Sequence, residues 1–298
     1  MNGQTILKDP TAMPLIKADP NSPVFKVTGR DGLIIKAGTR IGDLDFPQDK
    51  IVTMPGDGLE AGADYAVTID DGVAAAFRLD AAPVSSSYLG GFHFAPGGNA
   101  AARSGGDDIP AINPCSLWDA NFRPACKDAR GMTLVASLKF WADIYLLGVN
   151  HLTDGTSKFG VTIADGRDCP LAPNGEPYSR LDYETAVAVM AHHGKGLMSQ
   201  GEFEAFAFGV TERTACGTDP KVTGLDMKRT SQVGGMQPAG SMWIWGHDGS
   251  LRPRASVLGG SWFSDGGAGS RCAIVGYWPE SSHGSLGARG RSDHLQLV

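Results

Sequence analysis

The stretch YETAVAVMAHHGKGLMSQGEFEAFAFG, residues 183–209, holds the clearest helical text in the chain. Its first half sets Ala186, Val187, Val189 and Met190 between Tyr183 and His192. It stops at Gly194, a residue suited to the left-handed backbone just past a helix end. Ser199-Gln200-Gly201-Glu202 then reads as a capping box. The serine oxygen accepts from the amide three residues on, and the glutamate reaches back to the serine amide. Phe203, Phe206 and Ala207 follow at helical spacing, and Gly209 ends the run. The stretch therefore predicts two short helices side by side in sequence.

Outward from this pair the text changes character. Upstream lies TLVASLKFWADIYLLGV, residues 133–149. It is long enough for a helix, but Thr, Val, Phe, Trp, Ile and Tyr favour strand. We expect two strands, with Trp141 to Leu147 central to the second. From Leu15 to about Leu79 the chain reads as short strands punctuated by Asp31-Gly32, Asp57-Gly58 and Asp71-Gly72, which are hairpin-type turn signals. Tyr65–Ile69 and Val73–Leu79 around Asp70-Asp71-Gly72 form the clearest hairpin. No convincing helix precedes Thr133, so the front is expected to be an all-β sandwich. Residues 95–131 read as a low-order connection anchored by Leu117-Trp118, and residues 1–13 as an unstructured lead. Downstream, 14 of the 68 residues from Ser231 to Val298 are Gly, and four of the six Trp lie there. Glycine permits tight reversals and tryptophan fills the space between them, so this end should be irregular yet ordered. The expected fold is α+β. An N-terminal sandwich with its connecting segment spans 14–130, and a strand, helix-pair, loop and strand unit spans 131–298.

Composition narrows the function. The chain has 298 residues, 41 of them Gly and 18 Pro, with only 19% charged and 42% hydrophobic. This excludes a charged disordered chain and a long coiled coil. A net charge of −6 supplies no basic field for nucleic acid. No run of 18 apolar residues offers membrane insertion. The start, MNGQTILKDPTAM, lacks the basic-then-apolar order of a signal peptide.

Catalytic and metal patterns are missing too. Cys115, Cys126, Cys169, Cys216 and Cys272 are scattered with no C-x-x-C, which favours free thiols. Cys115 and Cys126 lie close in sequence and could pair, though spacing alone does not establish it. His192-His193 has no third metal ligand at useful spacing. A histidine at a helix C-terminus also interacts well with the dipole. Ser292-Asp293-His294 has the three residue types of a hydrolytic triad, but consecutive strand side chains alternate faces and form no relay. Phosphate-loop and dinucleotide fingerprints do not occur. We expect no enzyme activity, no metal and no cofactor.

The longer motifs are more specific. GGFHFAPGGNAA (90–101), SLWDANFRPA (116–125), RGMTLVA (130–136), FWADIYLLGVNHLTDGTSKFGVTIADG (140–166) and GGSW…GSR…GARGRSDHL (259–295) resemble the phage major tropism determinants. These are receptor-binding proteins diversified by a retroelement. IKADPNSPVF (16–25) and VTMPGDGLEAGADYAV (52–67) extend the likeness forward. The resemblance implies that 131–298 is a C-type lectin-like domain of the formylglycine-generating-enzyme-like subgroup. It also implies a homotrimer at a virion tail-fibre tip, binding a host cell-surface protein or glycan. The family carries a further N-terminal β-prism domain, and the match here begins near Leu15. The family also has a longer insert between the positions of Gly209 and Trp243.

In this family, template-directed change at adenines turns AAY codons into NNY, which encodes no Trp, Met, Gln, Lys or Glu. The matching positions here are Phe263, Asp265, Gly267, Ile274, Gly276, Tyr277, Ser282, His283, Ser285 and Leu286, none of them a forbidden residue. Glu280 is forbidden and is left out. Trp262, Arg271 and Arg289 are expected to be scaffold, within Gly259–Trp262, Gly269–Arg271 and Gly287–Gly290. A segment that tolerates replacement must present its side chains to solvent, where substitutions change stability by only about 0.5 kcal/mol. Exposed Tyr and Phe among Ser and Gly also match the composition of antibody paratopes. Two alternatives carry weaker signals. A formylglycine-generating-type enzyme needs a late cysteine pair, but only Cys272 follows residue 216. A calcium-dependent lectin needs E-P-N or Q-P-D, yet Glu176-Pro177 continues to Tyr178 and Gln237-Pro238 to Ala239.

Overall fold

The computed structural model of the chain describes residues 14–79, 88–96, 107–137 and 139–296. The expected lead over 1–13 and the Gly/Ala run 97–106 lie outside these residues. The front of the chain is strand-built. Its strands are β1 (Leu15–Ile16), β2 (Phe25–Thr28), β3 (Gly32–Ile35), β4 (Thr39–Ile41), β5 (Leu44–Phe46), β6 (Lys50–Ile51), β7 (Ala63–Asp70), β8 (Val73–Arg78), β9 (Gly90–Ala95), β10 (Ala111–Ile112) and β11 (Trp118–Asp119). They form a five-stranded sheet of β10-β9-β7-β8 with β11 on β9, and two three-stranded sheets, β1-β4-β5 and β2-β3-β6. Phe25, Leu33, Ile35, Tyr65, Val67 and Phe92 close one apolar core between them. This is the burial that alternating strands with one apolar face require.

The hairpin β7–β8 forms where the Asp-Gly step placed it. Asp70 pairs Val73 across the turn. Asp71 (φ 45°) and Gly72 (φ 76°) both take positive φ, as a tight two-residue hairpin turn demands. The described part of the connection, residues 107–131, is more ordered than expected. β10 and β11 both pair with β9, Trp118 opposite Gly91. Glycine is needed there because a Cβ on Gly91 would lie 2.8 Å from the Trp118 ring.

The second half begins with β12 (Met132–Val135) and β13 (Phe140–Asp143), then continues through α1 (His151–Asp154), α2 (Tyr183–His192) and α3 (Gln200–Phe206). Two strands form as expected from 133–149, but the second ends at Asp143, and residues 144–147 leave it as buried, irregular chain. The capping box is complete: Ser199 accepts from the Glu202 amide, and the Glu202 carboxylate accepts from the Ser199 amide at 2.8 Å. Helix α2 is capped by Asp182 and followed by Gly194 at φ 69°. Then come β14 (Trp243–His247), β15 (Ala255–Leu258), β16 (Ala273–Val275), β17 (Leu286–Gly287) and β18 (Arg291–Asp293). One sheet runs β16-β15-β14-β17, with β17 parallel to β14. The other runs β12-β13-β18, so the end of the chain returns to pair with the start of this half. Phe203, Phe206, Leu146, Met198 and Ile244 fill one core, and Trp245, Leu181, Val189, Met190 and Leu286 the next. All five cysteines are free. The Cys126 thiol donates to the Asp128 carbonyl and touches Met132 Sδ, so no Cys115–Cys126 disulfide forms.

Candidate functional site

Between β15 and β17 the chain makes two irregular loops around a short edge strand, β16. Gly259 (φ 91°) and Gly260 (φ 79°) turn it sharply out of β15. A Cβ on Gly259 would lie 2.7 Å from the Pro238 carbonyl, and one on Gly260 2.8 Å from Ala268 Cα, so only glycine fits this reversal. Main-chain bonds then fix the loop: Trp262 N to Ser241 O (3.0 Å), Gly269 N to Gly259 O (3.1 Å) and Gly259 N to Cys272 O (2.7 Å). These bonds involve groups that every residue carries and none of the outward side chains.

The side chains on this frame face outward in part. Phe263 is 59% exposed and Ile274 44%; Asp265, Gly267 and Gly276 are also exposed. The Phe263 ring meets Trp262 edge-on at 5.3 Å, and Trp262 packs against the core beneath. Tyr277, Ser282 and His283 are half-buried, and Tyr277 and His283 are linked. Tyr277 Oη lies 3.2 Å from His283 Nε2, His283 Nδ1 lies 2.8 Å from Ser285 Oγ, and Ser282 Oγ donates to the Gly166 carbonyl. Burial, aided by the Arg167 cation, holds His283 below its ordinary pKa.

Two of the ten positions do not face solvent. Leu286 is wholly buried because β17, paired along β14 with Leu286 opposite Trp243, turns this side chain into the core with Trp245 and Ala288. Ser285 is buried beside it, its carbonyl accepting from Trp243 N at 2.9 Å. The expectation that the whole set is exposed fails at these two. Arg271 departs from the scaffold expectation in the other direction. Its side chain is exposed, in no hydrogen bond or ion pair among the described residues, so it joins the outward face. Arg289 is fully buried. It donates to the carbonyls of Asp143 (2.8 Å), Ile144 (2.5 Å) and Met236 (2.6 Å), with Phe206 5.1 Å beneath its guanidinium.

Sequence reasoning passed over Trp278, which is 76% exposed, and Val275, 46% exposed on the edge strand. Trp278 sits in the right segment beside Pro279, but exposure of a tryptophan has no local signature. The Trp278 carbonyl accepts from Ser281 N at 3.0 Å, and the Pro279 carbonyl from Tyr183 N at 3.1 Å, so the indole stands on clamped backbone. Glu212 was missed as well. It lies 58 residues from its partner Ser270, beyond the reach of any spacing rule.

No cluster of three or more potential metal ligands occurs among the described residues. A polar cavity lies elsewhere, where the two halves meet, lined by Asp64, Arg78, Asp128, Arg130, Asp154 and Lys195 among others and by none of residues 259–287. No helix among the described residues is long and apolar enough to cross a membrane.

A lectin-like fold that holds exposed aromatic and aliphatic side chains on a glycine-rich, hydrogen-bonded backbone is a display scaffold. Comparison with known proteins agrees. The family described as Mtd second domain matches residues 23–119. A tail fiber receptor-binding protein of Bordetella phage BPP-1 is 43% identical over 326 aligned positions, which cover 95% of this chain and 85% of that protein. Solved structures of Major Tropism Determinant variants superpose closely. The M1 variant has a TM-score of 0.87 at 42% identity and the I1 variant 0.87 at 43%, each covering 96% of this chain and 87% of its own. The chain belongs to this family of phage tail-fibre receptor-binding proteins, the major tropism determinants.

Proposed function

We propose that this chain is a variable receptor-binding protein. In this reading it forms a homotrimer at a tail-fibre tip and engages a host-surface protein or glycan through the face built by residues 263–283. It acts by binding, without catalysis, and the 14–130 half carries the lectin-like half of 131–298. The observation behind the reading is the division of labour in the 259–287 segment. Phe263, Ile274 and Trp278 are exposed, whereas the bonds that fix the loop are main-chain or made by residues other than these. Side chains there can change with little cost to folding, about 0.5 kcal/mol each. Weak contacts repeated three times on one rigid tip would gain from effective concentration.

The test is randomisation of Phe263, Asp265, Ile274, Tyr277, Ser282 and His283 in one library. Most members should still melt cooperatively within a few degrees of the parent, and selection on intact bacteria should return members with different host preferences. A library that is largely unfolded, or that never acquires binding, defeats the reading. The genetic side is checked separately. A near-identical repeat beside a reverse transcriptase gene should differ from these codons only at template adenines.

A further inference from the structure

The loop from Trp262 to Ser270 is gripped from one side by the segment Glu212–Gly217. Arg213 N donates to the Ala268 carbonyl at 2.8 Å, and Gly217 N to the Trp262 carbonyl at 3.0 Å. Glu212 completes the hold. Its carboxylate accepts from Ser270 N at 3.1 Å and 3.2 Å and from the Ser270 hydroxyl. Arg213 takes a left-handed φ of 58°, the turn that aims Glu212 and the next amide at the same loop. The gripped positions are 262, 268 and 270, reached through main-chain groups or the Ser270 hydroxyl. The outward positions are 263, 265 and 267, which the grip never touches.

The glycine before Ser270 has the same cause. A Cβ on Gly269 would overlap a Glu212 carboxylate oxygen. Gly269 leaves room for the carboxylate, Ser270 supplies two donors to its two oxygens, and the chain continues to Arg271 on the outer face. Two donors converging on one carboxylate make a charge-assisted, directional contact, stronger than neutral hydrogen bonds of the same number.

We propose that residues 212–217 are a fixed cradle that holds the path of the display loop independent of its side chains, and that Glu212 is its positioning residue. The inference rests on the reading of residues 263–283 as the receptor face, but its test needs no receptor. Hydrogen exchange is measured on the full chain for the parent, Glu212→Ala, Glu212→Gln, Ser270→Ala and the Glu212→Ala/Ser270→Ala double variant. In Glu212→Ala, exchange of peptides covering 262–272 should accelerate about tenfold, while peptides from β13 and α2 keep the parent rate. Glu212→Gln retains one acceptor oxygen and should fall between parent and alanine. The double variant should exchange no faster than Glu212→Ala alone, since both changes remove one contact. Unchanged exchange over 262–272, additive single effects, or acceleration spread over the whole chain would each overturn the proposal. Failure of the randomised library with a loosened loop in Glu212→Ala would defeat the receptor-face reading and leave the cradle standing.

Discussion

Arg289 shows how much one buried residue can hold. Its guanidinium satisfies carbonyls from two separated stretches, Asp143-Ile144 and Met236-Gln237. Burial pushes its pKa down to about 9, which leaves it charged at neutral pH. Removing it strands those acceptors in the core. Arg289→Met should destabilise the chain by about 3 kcal/mol or more, and Arg289→Lys should restore little, since an ammonium lacks the planar fork. Urea unfolding monitored by tryptophan fluorescence checks both. The 259–287 segment offers an internal contrast between two large apolar residues. Leu286→Ala should cost about 2–5 kcal/mol, because it empties a packed site. Phe263→Ala should stay within about 0.5 kcal/mol, because its ring is mostly in water. Equal costs in the same denaturation assay would contradict the placement of either residue. At Gly267 a Cβ meets nothing, whereas at Gly260 it meets Ala268 on backbone of positive φ. Alanine should therefore be tolerated at Gly267 and should lower the melting temperature at Gly260.

Among the elements, α3 ties the helix pair to the chain end. Its capping box is local, but Glu202 also accepts from Arg291 Nη2 at 2.5 Å and Nε at 3.0 Å on β18. Ser199→Ala should cost about 1 kcal/mol, the usual worth of an N-cap. Glu202→Ala should cost more, since it releases the cap amide and leaves the half-buried Arg291 with Asp293 as its remaining carboxylate partner. If the two cost the same in thermal melts, the Arg291 pair contributes nothing. The capping box and the β7–β8 hairpin were both legible in sequence because each depends on residues within four positions of one another. The strands over 132–143 were legible from β-branched and aromatic content. β10 and β11 were not, because two-residue strands in a Gly/Pro-rich stretch have no periodicity to read. They exist only because β9 offers them an edge.

At the scale of the whole molecule, the two halves meet through polar and aromatic contacts. Asp64 on β7 faces His93 Nδ1 at 3.1 Å and accepts from Gly131 N, and His93 Nε2 meets Tyr145 Oη at 3.0 Å. Trp141 donates to His294 at 2.9 Å, with Phe122 edge-on to both. Nearby, His151 Nδ1 and His193 Nε2 share one hydrogen bond at 3.0 Å. Burial pushes the His193 pKa down to about 4, and burial also lowers those of His151 and His294. A histidine whose folded pKa lies below its unfolded one binds fewer protons when folded, so stability rises with pH between the two values. The melting temperature should therefore fall as pH drops from about 6.5 to about 4, the His193 folded value. His193→Gln should flatten that slope, as calorimetry across the range would show. A slope unchanged in His193→Gln would assign the effect to other groups.

The sequence by itself determined what short-range chemistry can encode: a β-rich front with an Asp-Gly hairpin, a capped helix pair, a Gly/Trp-rich end, and long motifs that point to the family. It also marked out residues 263–286, within which we propose the receptor face. Tertiary structure decided which side chains in that segment reach solvent. Leu286 and Ser285 sit in the same Gly/Ser text as Phe263 and Ile274, yet pairing with β14 beside Trp243 and packing against the core under Trp245 bury them. Arg271 and Trp278 face outward although neither stood among the expected variable positions. Glu212 reaches Ser270 across 58 positions. The physical reason is the same in each case. Burial and long-range hydrogen bonds depend on what the rest of the fold places opposite a residue, and local sequence holds no record of that.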